Sequence, residues 1–165
     1  MDYNEQDFLL LKFNLIRFID ACIQAQKQKT TKGLKLSHIS GTFQGFKLHP
    51  SFGSGNLTQR PVLAFLKDGN HVNKGIFPII IFIPDKNEII TCKGISYDNK
   101  SDMQWKQIVE KDIPFTETIY NNERGQLSFL RNVYKLDELT KDKTILEIQN
   151  DINEIIKDYP RNNNA

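Results

Sequence analysis

Gly75-Ile76-Phe77-Pro78-Ile79-Ile80-Ile81-Phe82-Ile83 carries no charged side chain and runs directly into Pro84-Asp85-Lys86-Asn87. A run of β-branched and aromatic residues that stops at a cluster of turn formers reads as a strand. Its lack of polar alternation places it in the middle of a sheet, covered on both faces. Glu88 to Ile95 returns as a second strand, so the two predict an antiparallel hairpin with a loop of about four residues. The same apolar run, interrupted by Pro78, is far shorter than the ~20 residues a membrane span needs.

Upstream of this hairpin, Pro61 introduces another strand from Val62 to Leu66, and Asp68-Gly69-Asn70 supplies a turn. Between Ser40 and Gly55 lie Gly41, Gly45, Gly53, Gly55 and Pro50, a composition that predicts turns in place of regular structure. Leu34 and Leu36 predict a short strand after Gly33. Earlier still, Phe8, Leu11, Leu15, Phe18 and Cys22 recur at spacings of three and four, with Lys12, Asn14 and Arg17 on the polar side. That is an amphipathic helix from Glu5 to Gln28.

Downstream, Asp112 and Pro114 predict the start of a short helix carrying Ile113, Phe115, Ile119 and Tyr120. Leu127, Phe129, Arg131, Val133 and Lys135 alternate in a way that a strand would accommodate. Ile145, Ile148, Ile152, Ile155 and Tyr159 predict a last helix from about Asp142 that Pro160 stops. The expected architecture is α+β: a mainly antiparallel, curved β-sheet flanked by N-terminal and C-terminal helices. It forms a single domain over residues 1–160, with residues 161–165 as a frayed tail.

With 165 residues and 39% hydrophobic content, the chain can bury a core of its own. The first residues carry Asp2, Glu5 and Asp7 instead of the basic start of a secretory signal, so a cytoplasmic protein without a membrane partner is expected. Cys22 and Cys92 have no CxxC spacing and no adjacent histidine, and read as reduced, buried thiols. The net charge of +2 hides a segregation of sign. Residues 24–74 hold Lys27, Lys29, Lys32, Lys35, Lys47, Arg60, Lys67 and Lys74 against one acid, Asp68, a balance of +7 that leaves −5 for the rest. All three histidines, His38, His49 and His71, fall in the same segment. It is either a surface that faces a polyanion or a solvated basic stretch, and charge alone leaves both open.

Catalytic patterns are missing. Asp85 and Glu88 flank a turn and lack the acid, spacer and lysine that put a metal-binding carboxylate and a lysine on one strand face. Ser51-Phe52-Gly53-Ser54-Gly55-Asn56 lacks the Gly-Lys-Ser/Thr ending of a phosphate loop. What it offers is unshielded backbone N–H groups, the hydroxyls of Ser51 and Ser54 and the amide of Asn56, followed by Thr58 and Arg60. These groups suit phosphates and base edges, while the glycines equally suit a tight turn. His49 stands alone as a histidine, Trp105 fits a core position near Met103 and Ile108, and no nucleophile with a base is evident. The expectation is a binding module with no catalytic residue, no metal and no cofactor.

Leu48, Ser51-Phe52-Gly53-Ser54-Gly55-Asn56-Leu57, Pro61-Val62-Leu63-Ala64-Phe65-Leu66, Gly75-Ile76-Phe77-Pro78 and Gly94-Ile95-Ser96 occur in this order. In that combination they resemble the McrB N-terminal DNA-binding domain family of modification-dependent, McrBC-like restriction systems. Weaker similarity runs through Gln104-Trp105, Asp112-Ile113-Pro114 and Gly125-Gln126, so that residues 34–126 are covered.

The resemblance implies a double-stranded DNA reader acting in phage defence. It also implies an AAA+ GTPase motor in the same longer protein and a McrC-like nuclease subunit as partners. Lys47, Ser51, Ser54, Asn56, Thr58, Arg60, Lys74, Arg124 and Gln126 are the candidate DNA contacts. Members that flip a modified cytosine hold it between aromatic side chains, and Val62, Phe77, Ile81 and Arg124 are the pocket equivalents here. Val62 stands where such members carry tryptophan, Arg124 where they carry tyrosine, and Ser54 where an aromatic side chain fills the gap in the duplex. The expected mode is therefore direct reading of a stacked duplex. The alternatives are base flipping and a protein-interaction domain that has lost DNA binding.

Overall fold

Asn4 opens the first helix, its side-chain oxygen accepting the Asp7 backbone N–H at 3.2 Å, and Glu5 and Asp7 occupy the turn where the helix dipole favours acids. The computed structural model describes residues 4–52, 60–67, 75–96, 118–122 and 126–157. Helix α1 spans Glu5–Gln28, as its spacing predicts, and ends at Lys29 with φ 58°. Among the described residues seven strands follow: β1 (Thr42–Phe43), β2 (Phe46–Ser51), β3 (Val62–Leu66), β4 (Gly75–Ile83), β5 (Glu88–Ser96), β6 (Thr118–Asn122) and β7 (Gln126–Lys135). They form one antiparallel sheet in the order β1-β2-β3-β4-β5-β7-β6, and helix α2 (Asp142–Lys157) closes the described chain. The fold is α+β. Among the described residues no helix is long and apolar enough to cross a membrane.

Both helices lie against the same face of the sheet. Phe8, Leu11, Leu15, Phe18 and Cys22 of α1 and Ile145, Ile148, Ile152 and Ile155 of α2 share one core with Phe46, Leu48, Leu63, Phe65, Ile80, Phe82, Ile89 and Tyr134. Phe77, Ile79 and Ile81 leave β4 on the other side and are also buried, in a second cluster with Ala64, Ile90 and Cys92. β4 is thus covered on both faces, as its unbroken apolar run requires. A turn of 3-10 helix, Pro84–Lys86, and a left-handed Asn87 connect it to β5 at the expected place.

Four local expectations are corrected or settled. The described part of the Ser40 to Gly55 segment, Ser40 to Phe52, is more regular than its glycines imply, because Gln44 and Gly45 (φ 50° and 84°) make the two-residue left-handed turn that joins β1 to β2. Leu34 and Leu36 are not in a strand. The Leu34 N–H donates to the Thr31 carbonyl and the Ile39 N–H to that of Leu36, local turn bonds that take the place of a ladder, while both leucines pack on the core. Ile119 and Tyr120 lie in β6, paired with β7, so the short helix expected from Asp112 does not extend over them. Helical and strand periods cannot be told apart in so short a run. Leu127 to Lys135 is a strand, with a bulge against Thr91 and Cys92 that breaks its alternation. The turn at Asp68-Gly69-Asn70, the Asp112 cap, Trp105, the Pro160 stop and the 161–165 tail lie outside the described residues.

α2 is tied to the sheet through a buried carboxylate. Asp151 accepts hydrogen bonds from the Thr91 hydroxyl at 2.9 Å, the Asn132 side-chain amide at 2.7 Å and the Tyr134 hydroxyl, with Arg131 Nε at 3.9 Å. A buried charge is tolerated only when donors replace its water, and here β5 and β7 provide them. Burial, and then the Asp151 carboxylate, push the Tyr134 hydroxyl well above its ordinary pKa, so it remains a donor. Asp151→Ala leaves three donors facing an apolar gap and is expected to cost about 3 kcal/mol, with Asp151→Asn costing less. Urea unfolding of the two variants against the parent measures both.

Candidate nucleic-acid interface

β2 alternates between buried and exposed over Phe46 to His49. Phe46 and Leu48 point into the helix-side core, whereas Lys47 and His49 are exposed and Ser51 is half-buried on the opposite face. The register extends this face across the sheet, since directly opposed residues of antiparallel strands share a side. Lys47 pairs with Leu66, His49 with Ala64 and Ser51 with Val62, and Val62 and Ala64 pair in turn with Ile81 and Ile79. Lys47, Ser51, Val62, Phe77 and Ile81, five of the candidate residues, therefore lie on the face away from α1 and α2. Val62 and Ile81 are direct cross-strand neighbours, and Phe77 follows along β4 on the same side.

The other candidates are placed less fully. Arg60 is exposed immediately before β3. Gln126 begins β7, its backbone opposite Ser96, which is itself opposite Gly75. Ser54, Asn56, Thr58, Lys74 and Arg124 lie outside the described residues. His49, a lone histidine in the sequence, shares this face with Lys47 and Ser51. Its signal was the period of two in Lys47-His49-Ser51, legible once Phe46 and Leu48 are taken as the inward pair.

The acid-poor segment contributes to more than one surface. Lys47 belongs to the sheet face just described. Lys67 instead lies over the Phe46 ring, its Nζ 5.3 Å from the centroid, on the helix-bearing side. Lys27, Lys29, Lys32 and Lys35 are exposed at the end of α1 and in the loop after it. Near Pro84, Lys135 Nζ bonds Glu88 at 2.8 Å and holds its carboxyl below the usual range. Among the described residues no group of three or more His, Cys, Asp or Glu side chains is placed to hold a metal ion. Cys22 and Cys92 are free and buried, and burial raises both thiols far above the range in which a thiolate forms at neutral pH.

Gly94 shapes the floor of this face. A Cβ built on it would come within 3.1 Å of both Cδ1 and Cγ2 of Ile79, and Gly94 lies opposite Phe77. Glycine in the Gly94-Ile95-Ser96 motif thus lets the branched Ile79 fill the space beside it.

These features define a class: a small α+β domain whose antiparallel sheet presents lysine, histidine and serine beside an apolar floor. Over 97 residues the chain is 34% identical to the type IV methyl-directed restriction enzyme EcoKMcrB subunit of Escherichia coli (strain K12), a match covering 59% of this chain and 20% of that protein. The similarity relates the chain to McrB-like proteins. The matched stretch is about a fifth of the length of that curated relative. No protein-family model matches the chain.

Gly94→Val overpacks the floor against Ile79. It is expected to destabilise the domain by about 1–3 kcal/mol, read as a lower urea midpoint at unchanged slope.

Proposed function

We propose that this chain is the DNA-recognition module of a McrBC-like restriction system, with no catalysis of its own. One observation carries the reading: Lys47, His49 and Ser51 stand in a row on one side of β2, exposed at Lys47 and His49, in an acid-poor segment, and that side of the sheet continues into half-buried Val62 and buried Ile81 and Phe77. Lysine and serine at strand spacing suit successive phosphates, and the glycine-rich loop that continues from Ser51 through Ser54, Asn56 and Thr58 to Arg60 adds donors for base edges. Lys74, Arg124 and Gln126 complete the contact set. Motor and nuclease functions belong, in this reading, to an AAA+ GTPase domain and a McrC-like subunit.

The favoured mode is direct reading of a stacked duplex. Flipping a base costs a few kcal/mol, which stacking between aromatic rings must offset, and valine and isoleucine at positions 62 and 81 cannot stack. A second reading, a modified-cytosine reader that flips its base, is favoured by the methyl-directed activity in the relative's name and by the Phe77 ring on the same face.

Binding to duplex DNA is expected to weaken steeply between about 50 and 200 mM salt as contacted phosphates release counterions. Lys47→Glu should weaken it roughly tenfold on every sequence, while Lys157→Glu at the end of α2 has little effect. Fluorescence anisotropy titrations measure both. A flat salt dependence, or equal effects of the two reversals, overturns the reading, as does cleavage of the DNA by the pure chain with magnesium.

The mode is tested separately with 2-aminopurine at each position of a bound site, using unmodified, 5-methylcytosine and 5-hydroxymethylcytosine duplexes. Direct reading keeps the probe quenched at all positions and changes affinity only modestly with modification. Strong fluorescence at one position with preference for one modified base establishes flipping instead.

A further inference from the structure

α1 buries one face in the core, yet its opposite face is not polar. Leu9, Phe13 and Ile16 are 39%, 51% and 39% exposed, and the row continues through Asp20, Ile23 and Lys27 at spacings of four, three, four, three and four. That is the heptad spacing of a helix-packing seam. Asp20, Ile23, Gln24, Lys27 and Gln28 line a shallow depression along its second half. A surface helix normally sets charged residues opposite its core stripe, so this seam has the character of a contact surface.

We propose that a second copy of this chain covers the seam, α1 against α1, antiparallel about Ile16. The charges select the occupant and the direction. Glu5 and Lys27 stand equally far from Ile16 along the sequence, as do Lys12 and Asp20, and Leu9 and Ile23. An antiparallel pair therefore sets Glu5 against Lys27 and Asp20 against Lys12, with Leu9 on Ile23 and Ile16 on itself. A parallel pair would oppose Glu5 to Glu5, Asp20 to Asp20 and Lys27 to Lys27. Opposed helix dipoles favour the same choice. Lys12 already bonds Asp142 at 2.8 Å at the rim, and Asp20 of the second copy extends that pair into a network. Because α1 packs on the face opposite Lys47, the seam and the Lys47 face lie on opposite sides of the sheet. One helix seam covers less than the roughly 800 Å² per partner of a tight complex, so the dimer is weak.

Sedimentation velocity of the full chain, from low micromolar to submillimolar concentration, tests this. A monomer–dimer equilibrium is expected, with Phe13→Glu raising the dissociation constant about tenfold or more. Leu146→Glu, on α2 and off the seam, leaves it unchanged. Circular dichroism verifies the fold of each variant. On mild oxidation Leu9→Cys cross-links to Ile23→Cys in a mixture of the two chains but not to itself. A chain that is monomeric throughout, a dimer indifferent to Phe13→Glu or equally weakened by Leu146→Glu, or self-cross-linking of Leu9→Cys overturns the proposal.

Discussion

Two-sided burial of β4 is the constraint from which the rest of the molecule follows. A strand with Phe77, Ile79 and Ile81 on one side and Ile80 and Phe82 on the other cannot lie at an edge or against water. β3 and β5 must flank it, and α1 and α2 must cover one of its faces. Polar links also hold the helices there, among them Asp151 beneath α2 and Asn14 in α1, which bonds the Leu10 carbonyl and the Ser40 N–H. Burial of the apolar faces supplies the main driving force, and these links set the register of each helix on the sheet.

The elements with strong periodicity were legible in sequence. α1, β3, β4, the turn at Pro84 and the start of α2 fall where spacing places them, since each has either a full helical stripe or a bounded apolar run. The β1–β2 hairpin was hidden because its turn uses Gln44 before Gly45, not the more familiar Asn or Asp, and because β1 is only two residues long. Placement of both helices on one face was not legible either. It depends on which alternate residues of β2, β4 and β5 each stripe meets, a property of register and not of any single segment.

The candidate site divides the same way. Charge found Lys47, the glycine-rich loop found Ser51, and motif resemblance found Val62, Phe77 and Ile81, but only the strand register shows that all five share a face. The charge count treated residues 24–74 as one basic surface. The fold distributes them, with Lys67 over Phe46 on one side and Lys47 on the other, because a strand turns successive side chains to opposite faces. Net charge per segment is thus a weaker guide than net charge per face.

Joining of the first and last helices in one core has a consequence for how the chain comes to be folded. Lys12 meets Asp142 across 130 residues, Gln44 at the β1–β2 turn bonds Asn153 across 109, and Thr91 meets Asp151 across 60. Contacts so distant along the chain carry a high entropic cost of closure and belong to slow-folding topologies. Emerging from the ribosome, α1 has its apolar stripe ready long before Ile145, Ile148 and Ile152 exist to complete the core around it. The domain therefore matures after synthesis of its last helix, and until then Leu11, Leu15 and Phe18 lack part of their final packing. That waiting interval is when the nascent chain is most exposed to aggregation and most in need of a chaperone.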